Sequence, residues 1–333
     1  MKAVILVGGF GTRLRPLTLT TPKQMLPVVD RTMLEHVVGR LGSFGVTEAV
    51  LALGYKDDVF VEAYPDGVCA GVQMHYATEP EPLDTAGAIR FAATHAGIDD
   101  TFLVVNGDII TDLDVTQLWQ KHRELGAEAT IALTHVDDPS KYGVVSTDED
   151  GRVLGFVEKP KRDEAPSNWI NAGTYVFEPS VLDRIEPERR VSIERETFPA
   201  IVNDGGLWAL PTDDYWIDAG VPATYLQVNW DLCFGAGNAS YEPIDGGARI
   251  DAGAHVEESI VMAGAQIDAG AHVCRSVVLP DAKISSQAVV ERSIIGPKSI
   301  VGSGASVQNL SVVGSGVTVD EGTHLDGRKL PEE

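Results

Sequence analysis

Gly8-Gly9-Phe10-Gly11-Thr12-Arg13-Leu14-Arg15-Pro16-Leu17-Thr18, with Pro22-Lys23 close behind, is the stretch on which the reading of this sequence turns. It leaves an apolar run, residues 3–7, that reads as a short buried strand. Glycines at the end of a strand let backbone N–H groups approach a phosphate closely, as a nest of donors. Arg13 and Lys23 bring positive charge to the same place. The stretch is not a P-loop, because no G-x-x-x-x-G-K-[ST] is present. Nor is it a dinucleotide fingerprint, since Leu14 stands at the third glycine position. A lone Gly-x-Gly reads as an ordinary turn, but Arg, Pro and Lys at these offsets point to a bound phosphate.

Outward from this loop, residues 49–53, 73–77 and 102–106 read as further buried strands, and residues 33–44 and 85–94 have helical spacing. Strands alternating with helices predict an α/β fold with a mostly parallel sheet covered on both faces. Residues 115–125 read as a helix capped by Asp114. Strands are expected at 129–136, 143–147, 153–158 and 169–177. Residues 192–203 read as a helix that Ser192 caps, with Glu194 one position short of a capping box.

The pattern changes over residues 229–248, where Gly235, Gly237, Pro243, Gly246 and Gly247 mark a linker. Beyond it Val301, Val307, Val313, Val319 and Leu325 are spaced by six. Val261, Ile267, Val273 and Leu279 share that spacing, as do Ile250 with Val256 and Ile284 with Val290. Six is neither a helical period nor strand alternation; it is the spacing of a parallel β-helix with aliphatics stacked inside. The expected domains are therefore 1–232, a linker at 233–248 and a repeat domain at 249–327.

The chain has 333 residues and is 44% hydrophobic, enough for a large domain and a smaller one, each with a core. No run reaches the roughly 18 apolar residues of a membrane span. The first residues run straight into the motif without a signal peptide, so a cytoplasmic location is expected. Cys69, Cys233 and Cys274 lack metal-ligand spacing and read as buried or surface thiols. A net charge of −23, from 49 acidic against 26 basic residues, disfavours nucleic acid and anionic membrane as partners. The acid excess is spread along the chain and suits a protein kept soluble in concentrated salt.

The phosphate-loop stretch resembles the signature of the sugar nucleotidyltransferase family, which includes mannose-1-phosphate guanylyltransferases and glucose-1-phosphate thymidylyl- and uridylyltransferases. Glu79-Pro80-Glu81-Pro82-Leu83-Asp84-Thr85-Ala86-Gly87 resembles its base-binding segment, with Asp84 where members often carry Gly. Asn106-Gly107-Asp108 resembles its metal-binding strand end, and Trp216-Ile217-Asp218-Ala219-Gly220 the second metal-ligand segment. Tyr142-Gly143, Glu158-Lys159-Pro160 and Asn171-Ala172-Gly173 resemble its sugar-binding elements. The resemblance implies a Rossmann-like nucleotidyltransferase domain with a mixed, mostly parallel sheet, followed by a left-handed parallel β-helix. It places Leu6, Gly8, Gly9, Gly11, Thr12, Arg13, Glu79 and Gly87 on the nucleotide. It places Tyr142, Gly143, Glu158, Lys159 and Asn171 on the sugar phosphate, and Asp108 and Asp218 on Mg²⁺, with Arg13, Lys23, Asp108 and Lys159 catalytic.

The residues read alone agree. Asp108 follows an apolar strand at the edge where open α/β sheets bind ligands, and Mg²⁺ takes one or two carboxylates plus phosphate oxygens. An Asp in either place is on its own a turn residue; Asp108, Asp218 and the glycine-rich loop together favour a metal. Glu158 and Lys159 close a strand with opposite charges on opposite faces, unless they form a surface ion pair. His36, His75, His95 and His122 show no metal spacing and read as structural or solvated.

The expected reaction joins an NTP to a sugar 1-phosphate in line and releases pyrophosphate. A non-catalytic, regulatory relative would lack the loop Arg, the Lys or the carboxylates, and all are present. A β-helix acyltransferase would use a His, and His255, His272 and His324 exist; the short repeat reads instead as an oligomerisation module, and a homo-oligomer is expected. For the base, a carboxylate at Glu79 matches the paired donors N1–H and 2-amino of guanine, whereas Gln suits uracil or thymine. GTP with mannose 1-phosphate is therefore favoured, against a solvated Glu79 with Gly87 and backbone groups reading the base.

Overall fold

Most of the apolar runs in the first two thirds of the chain become strands of one ten-stranded sheet. The computed structural model describes residues 1–9, 11–54, 57–235 and 241–332; Phe10 of the phosphate loop and residues 236–240 of the predicted linker, Gly237 among them, lie outside the described residues. The sheet strands are β1 (Lys2–Leu6), β2 (Glu48–Leu53), β3 (Val68–Cys69), β4 (Val72–Thr78), β5 (Phe102–Asn106), β6 (Ala129–His135), β7 (Gly143–Thr147), β8 (Val153–Glu158), β9 (Trp169–Phe177) and β10 (Leu207–Thr212). The helices are α1 (Met33–Ser43), α2 (Asp57–Ala63), α3 (Asp84–His95), α4 (Val115–Leu125), α5 (Phe198–Asn203) and α6 (Pro222–Phe234). No helix among the described residues is long and apolar enough to cross a membrane.

The strand order is β8-β7-β9-β5-β1-β2-β4-β3, with β6 between β9 and β10. The centre, β5-β1-β2-β4, is parallel, and β9 joins it antiparallel to β5. The central strands read as unbroken apolar runs because parallel strands are buried on both faces. Asp114 caps α4 as predicted, its carboxylate accepting from Thr116 N at 2.9 Å, and Gly126 ends the helix in the left-handed region. The predicted helix at 192–203 divides into a π-helical turn, Ile193–Thr197, and the short α5. Pro199 has no N–H for a regular helical bond at that point. Ser192 caps the turn, accepting from Arg195 N at 3.3 Å.

Contacts divide the chain into two compact units, one made of Met1–Gly9 and Glu35–Trp216, the other of Phe10–Leu34 and Ile217–Glu333. The first holds the sheet and its core. The second holds the phosphate-loop segment, α6 and a C-terminal parallel β-helix. In it Val29 N donates to Asn229 Oδ1 at 2.8 Å, and the Tyr225 hydroxyl donates to the Pro27 carbonyl, so α6 grips the end of the loop segment.

The β-helix has three five-stranded parallel walls. Along one wall Arg249, Gln266, Lys283 and Ile300 step by seventeen and Thr318 follows at eighteen. Each seventeen-residue coil therefore has two six-residue sides and one of five. That is why the six-residue series broke: Val278, five after Val273, joins the internal stack of Val261, Ile267, Val273, Ile284, Val290, Ile295 and Val301, while the buried Leu279 lies outside it. The unbroken run from Val301 to Leu325 corresponds to the longer final coils.

Candidate active site

In the first unit, three predicted segments follow the C-terminal ends of strands in the parallel centre of the sheet. Leu6 of β1 pairs with Asn106 of β5 and Ala52 of β2, and Leu53 pairs with Thr78 of β4. Gly8-Gly9, Asp108 and Glu79 therefore leave one edge of the sheet, where open α/β folds bind ligands. Gly8 and Gly9 are exposed, and Gly9 has φ 103°, a conformation side chains resist. Gly107 N donates to Leu6 O at 2.9 Å, and a Cβ there would lie 2.8 Å from Val7 Cγ1. Only glycine lets the chain pass β1 this closely and deliver the half-buried Asp108.

Glu79 N donates to Leu53 O at 2.8 Å, and its Oε2 accepts from Leu83 N at 2.8 Å, which shapes the turn into α3. Burial pushes the Glu79 carboxyl above its ordinary range, opposed by the Leu83 hydrogen bond. Asp84 begins α3 at φ 61°, and its Oδ1 accepts from Thr85 N at 2.8 Å. The left-handed backbone is what Gly tolerates at this place and what Asp tolerates better than most residues. Asp84→Gly is expected to leave stability within about 1 kcal/mol, and Asp84→Val to cost about 1–2 kcal/mol. Equal melting temperatures for the two variants would contradict this. Gly87 is buried, its N–H donates to Val191 O at 3.3 Å, and a Cβ would lie 2.7 Å from Leu83 Cβ.

The residues expected on the sugar phosphate meet at β7, β8 and β9. Gly143 pairs with Glu158, and a Cβ on Gly143 would lie 2.5 Å from Phe156 Cζ. Tyr142 packs edge-on against Trp216, 5.6 Å between ring centroids. Glu158 and Lys159 do not point to opposite faces. Lys159 leaves the strand at φ 50°, its N–H donates to Tyr142 O at 2.9 Å, and its Nζ meets Glu158 Oε1 at 2.6 Å. Strand alternation stops where the backbone turns left-handed, so the ion-pair alternative is the one observed. Asn171 Oδ1 accepts from Gly173 N at 2.9 Å and its Nδ2 donates to the Tyr175 hydroxyl at 2.9 Å. Gly173, at φ 71°, would place a Cβ 2.6 Å from Asn106 Nδ2, so this bulge abuts the strand end that carries Asp108.

In the second unit, Gly11 has φ 58° and its carbonyl accepts from Thr18 Oγ1 at 2.7 Å and from Leu14 N at 3.0 Å. The resulting 3-10 turn, Thr12–Leu14, buries Leu14 and exposes Thr12 and Arg13. A Cβ on Gly11 would lie 3.4 Å from Lys23 Cβ, which sets Lys23 beside the turn. Arg13 Nη2 lies 4.0 Å from Asp218 Oδ2, and Asp218 Oδ1 accepts from Gly220 N at 2.8 Å. A Cβ on Gly220 would meet Arg13 Nη2 at 2.9 Å, so the glycine of that segment makes room for the guanidinium.

Among the described residues no group of three or more His, Cys, Asp or Glu forms a cage for a metal. His122 is buried and bonded to Thr130 Oγ1 and Glu178 Oε1, and burial lowers its pKa. The cysteines are free thiols. Glu194, considered for a capping box, has another part: its Oε2 accepts from Thr85 Oγ1 at 2.9 Å and Ser192 Oγ at 2.8 Å, pinning the first turn of α3. Gly314 and Lys329, which contact the phosphate-loop segment, carry no local sequence signal.

Residues 2–233 match the Nucleotidyl transferase family, and residues 241–331 match the GMPPB C-terminal domain. The chain belongs to the nucleotidyl transferase family. It is 40% identical over 263 residues, 76% of this chain and 72% of its relative, to a mannose-1-phosphate guanylyltransferase of Mycobacterium tuberculosis. It is 48% identical over 232 residues to a mannose-1-phosphate guanyltransferase of Aspergillus fumigatus, covering 68% of this chain and 62% of the fungal protein. The chain thus matches less than two thirds of that protein's length. Among solved structures, HddC from Yersinia pseudotuberculosis complexed with GMP-PN is similar at 29% identity and a TM-score of 0.60, over 69% of this chain and 99% of that one.

Proposed function

We propose that the protein transfers a guanylyl group from GTP to mannose 1-phosphate, giving GDP-mannose and pyrophosphate. The observation that carries the reading is the row of Gly8-Gly9, Glu79 and Asp108 past the ends of β1, β4 and β5, on one sheet edge. The names of the mycobacterial and fungal relatives support the base and the sugar.

A phosphate oxygen of the sugar phosphate attacks the α-phosphorus of the triphosphate. The bond from that phosphorus to the bridging oxygen breaks, and pyrophosphate leaves with the electron pair. Two polyanions must be held in line, so the protein's work is positioning and charge neutralisation. Gly8, Gly9, Gly11 and Thr12 offer backbone donors to the phosphates. Arg13 stabilises the departing pyrophosphate, and Lys23 and Lys159 hold phosphates in line. Tyr142, Gly143, Glu158 and Asn171 hold the sugar. The contact from Lys159 Nζ fixes the orientation of the Glu158 carboxylate, whose oxygens accept from hydroxyls. Leu6 ends the strand that carries the loop.

Asp108 and Asp218 are the residues that would hold Mg²⁺, which takes one or two carboxylates plus phosphate oxygens. When bound, Mg²⁺ offsets charge gathering on the α-phosphate. A homo-oligomer is the assembly expected of the β-helix.

Glu79 is proposed to read guanine. Its Oε2 holds Leu83 N but keeps a second lone pair, and Oε1 keeps both. The Gly87 N–H is taken by Val191, which favours Glu79 over Gly87 as base reader. We expect kcat/KM for GTP to exceed that for UTP, dTTP, CTP and ATP by about 100-fold or more, the size of a buried carboxylate left unpaired. As pH falls through the raised Glu79 pKa, the carboxyl protonates and this preference should narrow. A clear preference for UTP or dTTP would overturn the base and leave a uridylyl- or thymidylyltransferase.

A further inference from the structure

The phosphate-loop segment is held at two places within the second unit. Near its end, Pro27 and Val29 are bonded to Tyr225 and Asn229 of α6. Near its beginning, it rests on the last two coils of the β-helix. Gly314 follows the strand Val312–Val313, and its N–H donates to Leu330 O at 2.7 Å in the next coil. A Cβ on Gly314 would lie 3.2 Å from Pro16 Cβ and 3.3 Å from Pro16 Cγ. Gly314 has no left-handed φ, so what a side chain meets here is tight space and not backbone strain: the neighbours would have to give by a few tenths of an ångström. In the same final coil Lys329 Nζ donates to the Arg13 carbonyl at 3.4 Å.

These contacts matter because of what Arg13 lacks. Its side chain is 62% exposed, and Asp218 stands off at 4.0 Å. The backbone from which the guanidinium springs therefore sets the region it can reach. That backbone is a single 3-10 turn, closed by Leu14 N and Arg15 N on Gly11 O and Thr12 O. Pro16 under the turn and the Arg13 carbonyl within it are the points the β-helix touches.

We propose that Gly314 and Lys329 are positioning residues for Arg13, so that the β-helix sets the rate of nucleotidyl transfer and does more than assemble subunits. The proposal rests on the assignment of Arg13 to the departing pyrophosphate. Any event that shifts the final coils, such as subunit association or binding on that end, would then reach the phosphate loop directly.

The test uses the full chain with Gly314→Val, Lys329→Met and Lys329→Arg, and with Lys283→Met as control, since Lys283 pairs with Asp268 in another wall. Turnover with GTP and mannose 1-phosphate is measured together with calorimetric binding of inorganic pyrophosphate. Misplacing a charged group by about 1 Å costs up to about 100-fold, so Gly314→Val should lower kcat at least about tenfold and weaken pyrophosphate binding, with the KM for mannose 1-phosphate little changed. Lys329→Met, at a half-buried position outside the internal aliphatic stack, should lose about threefold in both readouts. Lys329→Arg restores a donor and should recover most of the loss, and Lys283→Met should match wild type. Wild-type values of kcat and pyrophosphate affinity in Lys329→Met, whether or not Gly314→Val folds, would overturn the proposal. Weakened pyrophosphate binding in the variants, with no turnover in any form, would sustain the positioning role and overturn the assigned reaction.

Discussion

Asp108→Asn is expected to fold as wild type and to lose roughly 100- to 1000-fold in turnover, the effect of removing one electrostatic contact worth about 3–4 kcal/mol. The replacement is isosteric and the residue is only half-buried, so packing around Gly107 and Val7 should be untouched. What changes is the ligand: a neutral amide is a poor partner for Mg²⁺. Pyrophosphate release at saturating Mg²⁺, with circular dichroism to check the fold, measures the effect. Turnover near wild type would remove Asp108 from the reaction and leave it as a turn residue.

Arg13→Ala should lower kcat by roughly 100-fold or more, in the range of one lost oxyanion-type contact, while the KM for sugar phosphate moves little. Its charge meets the pyrophosphate as the bond breaks, not the incoming sugar. The substitution also leaves Asp218 without the guanidinium at 4.0 Å, so part of the loss passes through that carboxylate. An Arg13→Ala/Asp218→Asn double variant should therefore fall short of the product of the single losses. A change confined to the KM for sugar phosphate would put Arg13 elsewhere.

Much of the sheet was legible because its central strands are parallel and buried on both faces, which leaves continuous apolar runs such as Phe102–Asn106. The β-helix was legible from spacing, but the five-residue side was not. A shift from six to five moves the inward position from Leu279 to Val278, both aliphatic and both buried. The helix α6 was missed because its apolar residues surround it, with Tyr225, Val228 and Cys233 buried and Leu226 and Trp230 partly so. Strand β10 carries Pro211 and gave no clean alternation.

At the site, the glycines announced close approaches that the fold explains. Gly107, Gly143, Gly173 and Gly220 each stand where a Cβ would fall under 3.0 Å from a neighbour. The pairing of Glu158 with Lys159 stood in the sequence as one of two alternatives, and the left-handed Lys159, which strand logic does not anticipate, decides for it. The contact of Gly314 with Pro16 links residues nearly three hundred positions apart, and no local pattern records it.

The most direct measurement incubates the purified protein with GTP, mannose 1-phosphate and Mg²⁺ and follows both products. The account predicts GDP-mannose and pyrophosphate in equal amounts, formed only when both substrates are present. No pyrophosphate from GTP, UTP, dTTP, CTP or ATP with any sugar 1-phosphate, from protein that is folded and binds nucleotide, would contradict it.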